Sequence, residues 1–155
     1  MLVRLHLFLA LVVTFLFAAC DDHLPRAFEL SSATSPQLEL WGDVMWARPG
    51  DVVMRNDDVV FVIQGPGRDL GLGPYGGSII DAGVKGGVDR FGEFIPVFGL
   101  GRTLEVQSIE VVSDGARDDE AVVRVIGHDV LNPYYNLLSV TNGLLDALLP
   151  RSPDA

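Results

Sequence analysis

The chain contains very little cysteine or histidine: one cysteine and three histidines occur among its 155 residues. A single thiol cannot form a disulfide within the chain, so a disulfide-stapled fold is excluded. Metal centres need cysteine, histidine or acidic ligands at characteristic spacings, and no such grouping occurs here. We therefore expect neither a metal site nor a bound cofactor.

Basic side chains are also few. Eleven Lys and Arg residues stand against 21 Asp and Glu residues, which gives a formal net charge of −10 at pH 7. Proteins that bind nucleic acid neutralise phosphates with clustered Lys and Arg side chains. The acidic balance therefore argues against a nucleic-acid partner and favours a well-solvated, exported body.

The apolar run near the N-terminus is too short to span a bilayer. Residues 7–19 form an uncharged stretch of thirteen residues, whereas a transmembrane helix needs about 20. Arg4 precedes the run, and Ala18 and Ala19 end it with small side chains. This arrangement predicts a secretory signal peptide over residues 1–19 rather than a permanent transmembrane anchor.

The only cysteine follows that run directly, in the order Leu16, Phe17, Ala18, Ala19, Cys20. The window resembles the lipobox of bacterial lipoproteins, although Phe17 stands where that family prefers Leu. The resemblance implies cleavage before Cys20, a diacylglyceryl thioether on its sulfur, and anchoring to a membrane of the cell envelope. A buried free cysteine is the alternative reading. The two acids that follow leave the choice between inner and outer membrane open.

Composition divides the rest of the chain into three parts. Residues 20–41, with several Pro and Ser, predict a lipidated tether, although a first strand within residues 37–41 is an alternative. Residues 42–131 are rich in β-branched residues and turn signals, which predicts a mainly β, antiparallel β-sandwich-like domain. Residues 132–155 carry leucines at roughly helical spacing, which predicts a partly helical tail, truncated if the chain is a fragment.

The clearest hairpin signal joins residues 51–55 to residues 58–64. Asn56 and Asp57 separate the two β-branched runs and suit a two-residue turn. Val59 to Ile63 is apolar without alternation, which predicts a strand covered on both faces.

A second hairpin is predicted from residues 103–112 and 121–127. In its first arm the apolar positions change parity near Gln107 and Ser108, which predicts a β-bulge or a strand buried on both sides. In its second arm Ala121, Val123 and Val125 are expected to face the core.

The glycine-rich stretch between the hairpins contains a dinucleotide-like pattern. Residues 71–76 read GLGPYG and match G-x-G-x-x-G. A dinucleotide site needs a helix to follow, but Pro74 opposes one and residues 78–82 predict a strand. The pattern therefore does not indicate a dinucleotide site.

The wider stretch, residues 64–77, is predicted to be a turn-rich surface loop. Its functional alternative is a ligand-binding rim, suited to a glycan, in which Arg68, Asp69 and Tyr75 offer charge and stacking.

No catalytic set is recognisable. His128 and Asp129 are adjacent, and neighbours on a strand point to opposite faces, so they do not form a dyad. The acidic run at residues 118–120 lacks the ligand spacing and central glycine of an EF-hand loop and is predicted to be a solvated hairpin tip. We expect no catalytic residue and no metal ligand.

Four stretches together resemble a known region of other proteins. They read ARPGDVVMRNDDVVFVIQGPG, YGGSIIDAG, DRFGEFIPVF and AVVRVIGHD. They resemble the N-terminal β-rich region of large bacterial envelope lipoproteins, which in some cases precedes a PHP-type, carbaryl-hydrolase-like metallohydrolase domain. The likeness covers residues 46–130 and includes none of the His-x-His ligands of such hydrolases, so it implies a non-catalytic module.

The sequence as a whole predicts a lipid-anchored envelope lipoprotein with a non-catalytic β-rich module that serves in binding or assembly. Its partner would be the membrane, through Cys20, together with a protein or glycan. The alternative is the N-terminal fragment or accessory domain of an exported metallohydrolase or glycan-active enzyme.

Overall fold

The computed structural model describes residues 24–99, 101–117 and 120–135. This part of the chain is mainly β with antiparallel sheets, as the sequence predicts. The signal helix expected over residues 1–19, Cys20, and the tail beyond Tyr135 lie outside the described residues. The elements are β1 (Arg26–Glu29), a 3₁₀ turn (Ser35–Gln37), β2 (Leu40–Trp41), β3 (Val52–Arg55), β4 (Val59–Ile63), β5 (Ile79–Val84), β6 (Gly87–Val88), β7 (Arg102–Asp114) and β8 (Ala121–Leu131).

The central sheet has four antiparallel strands in the order β1-β3-β4-β5. The predicted hairpin is its centre: β3 pairs with β4, and Val53 lies opposite Val62. The turn is set one residue later than predicted, because the amide of Asn56 donates to the carbonyl of Val59 over 3.0 Å. The Asn56 side chain stabilises this turn by accepting the amide of Asp58 at 2.9 Å.

The core lies on one face of this sheet. Strand alternation places Val53, Val60 and Val62 on that face, and each is completely buried. Phe61 points the other way and is 39% exposed, so the prediction that this strand is covered on both faces is wrong at its centre. The segment that crosses the core face supplies the opposing apolar side chains, which are Leu30, Leu38, Leu40, Met45 and Ala47.

The expected tether is part of the folded domain from residue 26 onward. β1 adds an edge strand to the sheet, with Ala27 opposite Met54, and the following Leu30 and Leu38 are buried. The prediction of a tether is therefore wrong for residues 26–41. The few apolar residues of this segment form no clear period, and only pairing with a distant strand reveals their role.

The second predicted hairpin is a long two-stranded ribbon, β7 and β8. Gln107 has no partner between the Val106 and Ser108 pairs, so the predicted bulge is confirmed. A second irregularity lies between Val111 and Ser113. The ribbon packs beside β1.

The face of β8 follows the predicted parity except at Val122, which is half-buried like its two neighbours. Ala121, Val123 and Val125 are half-buried, whereas Arg124 and Ile126 are exposed. Half-burial rather than full burial reflects a ribbon that covers the domain with one face and leaves the other in solvent.

Candidate functional site

An open apolar groove of about 770 Å³ lies near the base of the ribbon in the described domain. Its floor and walls come from the connection between β2 and β3, the glycine-rich loop, the strand-free stretch before β7, and the chain that leaves β8. The lining residues are Trp46, Gly71, Leu72, Glu93, Phe94, Ile95, Val97, Gly101 and Tyr135. Glu93 is the only charged residue among them, so the groove combines apolar walls with a single carboxylate.

The Glu93 carboxylate is held by the loop that carries the dinucleotide-like pattern. The amide of Leu72 donates to Oε2 over 2.7 Å, and the amide of Gly73 donates to Oε1 over 2.9 Å. A Cβ atom at Gly71 or Gly73 would collide with this carboxylate, and Gly71 has a φ of +55°. The glycines of the pattern therefore allow the backbone to close around an acid of the same chain rather than a phosphate.

The Trp46 ring lies beside the same glycine as the carboxylate. A Cβ atom on Gly71 would lie 3.3 Å from Cζ3 of the indole and in contact with Glu93 Oε2. The ring and the carboxylate thus border the same point in the groove. The backbone amide of Trp46 donates to Asp81 Oδ1 over 2.8 Å, which fixes this rim to β5.

Asn132 fixes the remaining wall. This completely buried side chain donates from Nδ2 to the carbonyl of Leu72 over 3.1 Å and accepts the amide of Tyr134 at 2.8 Å. Its own amide donates to the carbonyl of Gly101 over 2.8 Å. These bonds turn the chain after β8 so that Tyr135 borders the groove.

The predicted ligand rim is not part of this groove. The Arg68 guanidinium pairs with both carboxylate oxygens of Asp51, which is completely buried, and donates to the carbonyl of Trp46 over 3.2 Å. Asp69 is exposed and Tyr75 is half-buried. The loop uses Arg68 to neutralise a buried acid, and a ligand role for the three residues stays a prediction.

Asp81 is the one group among the described residues whose pKa departs clearly from its ordinary value. Burial raises the pKa of the Asp81 carboxyl, and the amides of Trp46 and Ala47 oppose that rise. The nearby acids Asp89 and Asp51 add to it. Oδ2 of Asp81 is buried without a hydrogen-bond partner, which agrees with the direction of this change in its pKa.

His128 and Asp129 do not act together in the described structure. Nε2 of His128 lies 2.8 Å from Nε2 of Gln107, and Asp129 forms an ion pair with Arg102 at 2.7 Å. Both residues are exposed. Adjacent strand residues with separate partners match the prediction that they form no dyad.

Among the described residues, no three histidine, cysteine or acidic side chains come together in a way that could hold a metal ion. Within the same residues no helix is long and apolar enough to cross a membrane.

The sequence interpretation missed Glu93. The available signal was an acid placed between Phe91 and Phe94 in an otherwise apolar stretch. Its partner amides lie about twenty residues earlier in the loop, a distance that no local pattern spans.

Comparison of the chain with family models, curated proteins and solved structures found no match.

Proposed function

We propose that the chain is an exported, lipid-anchored protein of the bacterial cell envelope whose β-sandwich-like module binds a ligand and has no catalytic role. The observation that carries the anchor is the position of Cys20, directly after a thirteen-residue uncharged run that ends in Ala18 and Ala19. A thioether-linked diacylglyceryl group and an acylated amino terminus supply two or more chains, which is enough for stable attachment.

The fold supports a close attachment. Only residues 21–25 separate Cys20 from the first residue of β1. Five residues span at most about 18 Å. A lipid on Cys20 therefore holds the sheet near the bilayer surface, without the long tether that the composition suggested.

The two ends of the ribbon differ in what lies beside them, and this bears on where the groove would lie relative to the membrane. A Cβ atom on Gly115, at the tip of the ribbon, would collide with the carbonyl of Pro25, so the N-terminal segment enters beside that tip. The groove lies at the other end, where Gly101 and Asn132 close the ribbon. A thirteen-residue strand such as β7 is about 40 Å long. The proposed anchor and the groove are thus at opposite ends.

Analysis of the mature N-terminus tests the anchor. After expression in a bacterium, the protein should enter the detergent phase on Triton X-114 partitioning, and its N-terminal peptide should begin at Cys20 with a diacylglyceryl mass added. An unmodified Cys20 in a protein that stays wholly in the aqueous phase would refute the anchor.

A second candidate function is an accessory domain of an exported metallohydrolase or glycan-active enzyme. The likeness of residues 46–130 to the β-rich region that precedes such hydrolases favours it. Sequencing the gene and its neighbours tests it: an adjoining domain with His-x-His ligands supports this role, and its absence argues for the binding module alone.

A further inference from the structure

We propose that the groove binds a small, soluble organic ammonium cation that carries an apolar substituent. In this site the Glu93 carboxylate is the counter-ion, and the rings of Trp46, Phe94 and Tyr135 surround the cation and its substituent. The inference deepens the proposed binding function of the module and does not depend on the lipid anchor.

The charge in the groove is not neutralised from within the described domain. Each oxygen of Glu93 accepts one backbone amide, whereas a carboxylate has about four acceptor sites. Among the described residues no Lys, Arg or His side chain pairs with it, since the ion pairs there involve other acids. The carboxylate is thus fixed in place with acceptor capacity left over.

Three aromatic residues, Trp46, Phe94 and Tyr135, line the same groove as this charge. Backbone hydrogen bonds fix their positions, while their rings stay partly exposed. Phe94 exchanges two backbone hydrogen bonds with Ile79, at 2.9 and 3.0 Å, yet it is 59% exposed. Trp46 and Tyr135 are anchored through Asp81 and Asn132 and also remain exposed. Cations are attracted to aromatic faces, and quaternary ammonium groups are recognised in this way.

Other ligand classes fit the groove less well. An anion would meet Glu93 and a chain of net charge −10. A Ca²⁺ or Mg²⁺ ion needs about six oxygen ligands, and the described lining of the groove offers one carboxylate. A neutral apolar ligand would strip water from Glu93 and supply no compensating charge.

Fluorescence titration of the full-length chain tests the inference. The protein has two tryptophans, so Trp41→Phe leaves Trp46 as the only reporter, at the rim of the groove. The probe is phenyltrimethylammonium chloride in 150 mM NaCl, and its neutral isostere is tert-butylbenzene. We expect a saturable change with the cation and about tenfold weaker binding of the isostere.

Variants identify the residues in that background. Glu93→Gln should weaken binding of the cation about tenfold, because the counter-ion is lost. Phe94→Leu should weaken it about fivefold, because the ring is lost while the apolar volume remains. The matched control is Phe98→Leu, which alters an aromatic residue of similar exposure, 51%, that does not line the groove. Urea unfolding of each variant shows whether the fold is kept.

Three results would overturn the inference: no saturable change with the cation, equal affinity for the isostere, or equal weakening by Phe94→Leu and Phe98→Leu. Binding to phosphatidylcholine vesicles without binding of the soluble probe would instead indicate a lipid headgroup and would also refute a soluble ligand. Phe94→Leu decides the matter if Glu93→Gln fails to fold. An unmodified Cys20 would refute the anchor and leave this site untouched.

Discussion

At the scale of single residues, two buried carboxylates differ in the hydrogen bonds and ion pairs that they form. Asp51 is completely buried and accepts hydrogen bonds from the amides of Arg48 and Gly65 at 2.7 and 2.8 Å, besides its ion pair with Arg68. Asp81 is equally buried but has one oxygen without a partner. The first is stabilised as a charge, whereas burial raises the pKa of the second.

The pair between Arg68 and Asp51 gives a prediction about stability. Arg68→Met removes the cation and leaves Asp51 buried with an uncompensated charge, so the free energy of unfolding should fall by about 3 kcal/mol. The matched control is Arg124→Met, since Arg124 forms a 3.3 Å ion pair with Glu110 in which both side chains are more than half exposed. That change should cost less than about 1 kcal/mol. Equal effects in urea unfolding would contradict the structural role of Arg68.

The raised pKa of Asp81 predicts a change of stability with pH. In the unfolded chain an Asp titrates near pH 3.9, so its stabilising contribution is complete below about pH 4 and is lost as the pH rises through the higher folded pKa. Asp81→Asn removes this loss and keeps an acceptor for the Trp46 amide. The stability of the variant relative to the wild type should therefore increase from pH 4 to pH 7. A constant or decreasing difference in urea unfolding would contradict the assignment.

Neither of these residue roles could be predicted from the sequence. Arg68 and Asp51 are 17 positions apart, and Asp81 lies 35 positions from the Trp46 amide that it accepts. The glycine-rich loop has no periodic pattern from which the position of the Arg68 side chain could be predicted. Only the strand register decides which acids are buried.

At the scale of elements, periodicity predicted the two hairpins well and the edges of the sheet poorly. The parity change in β7 identified the bulge at Gln107, because one extra residue moves every later side chain to the other face. β1 has only four residues and pairs with a strand about 25 positions later. A short edge strand carries too little pattern to be told from a tether.

The contact between the ribbon tip and the N-terminal segment gives a prediction at this scale. Gly115 and Gly67 have similar φ values, +76° and +69°, but only Gly115 has neighbours near its Cβ position, the Pro25 carbonyl foremost. Gly67→Ala should cost about 1 kcal/mol for the left-handed backbone alone. Gly115→Ala should cost about 2 kcal/mol more, because the added methyl displaces Pro25. Thermal unfolding compares the two variants, and equal losses would show that Pro25 does not lie against the ribbon.

At the scale of the whole molecule, the groove is assembled from four distant parts of the chain, which is why the sequence did not reveal it. Trp46, Leu72, Glu93 and Tyr135 each come from a different part. The acidic composition and the position of the single cysteine, from which we predict export, could be read directly because they depend only on the sequence itself. The long ribbon then separates the end beside Pro25 from the end that carries the groove.

The most direct test of the proposed anchor is the distribution of the full-length protein after cell lysis and ultracentrifugation. The wild type should sediment with the membranes and resist extraction with 1 M NaCl, because an acyl anchor does not depend on charge. Cys20→Ser keeps the size of the side chain and removes the thiolate nucleophile. This variant should therefore be absent from the salt-washed membrane pellet and appear in the supernatant. If Cys20→Ser remains as firmly bound as the wild type, the sulfur is not the anchor and the account is contradicted.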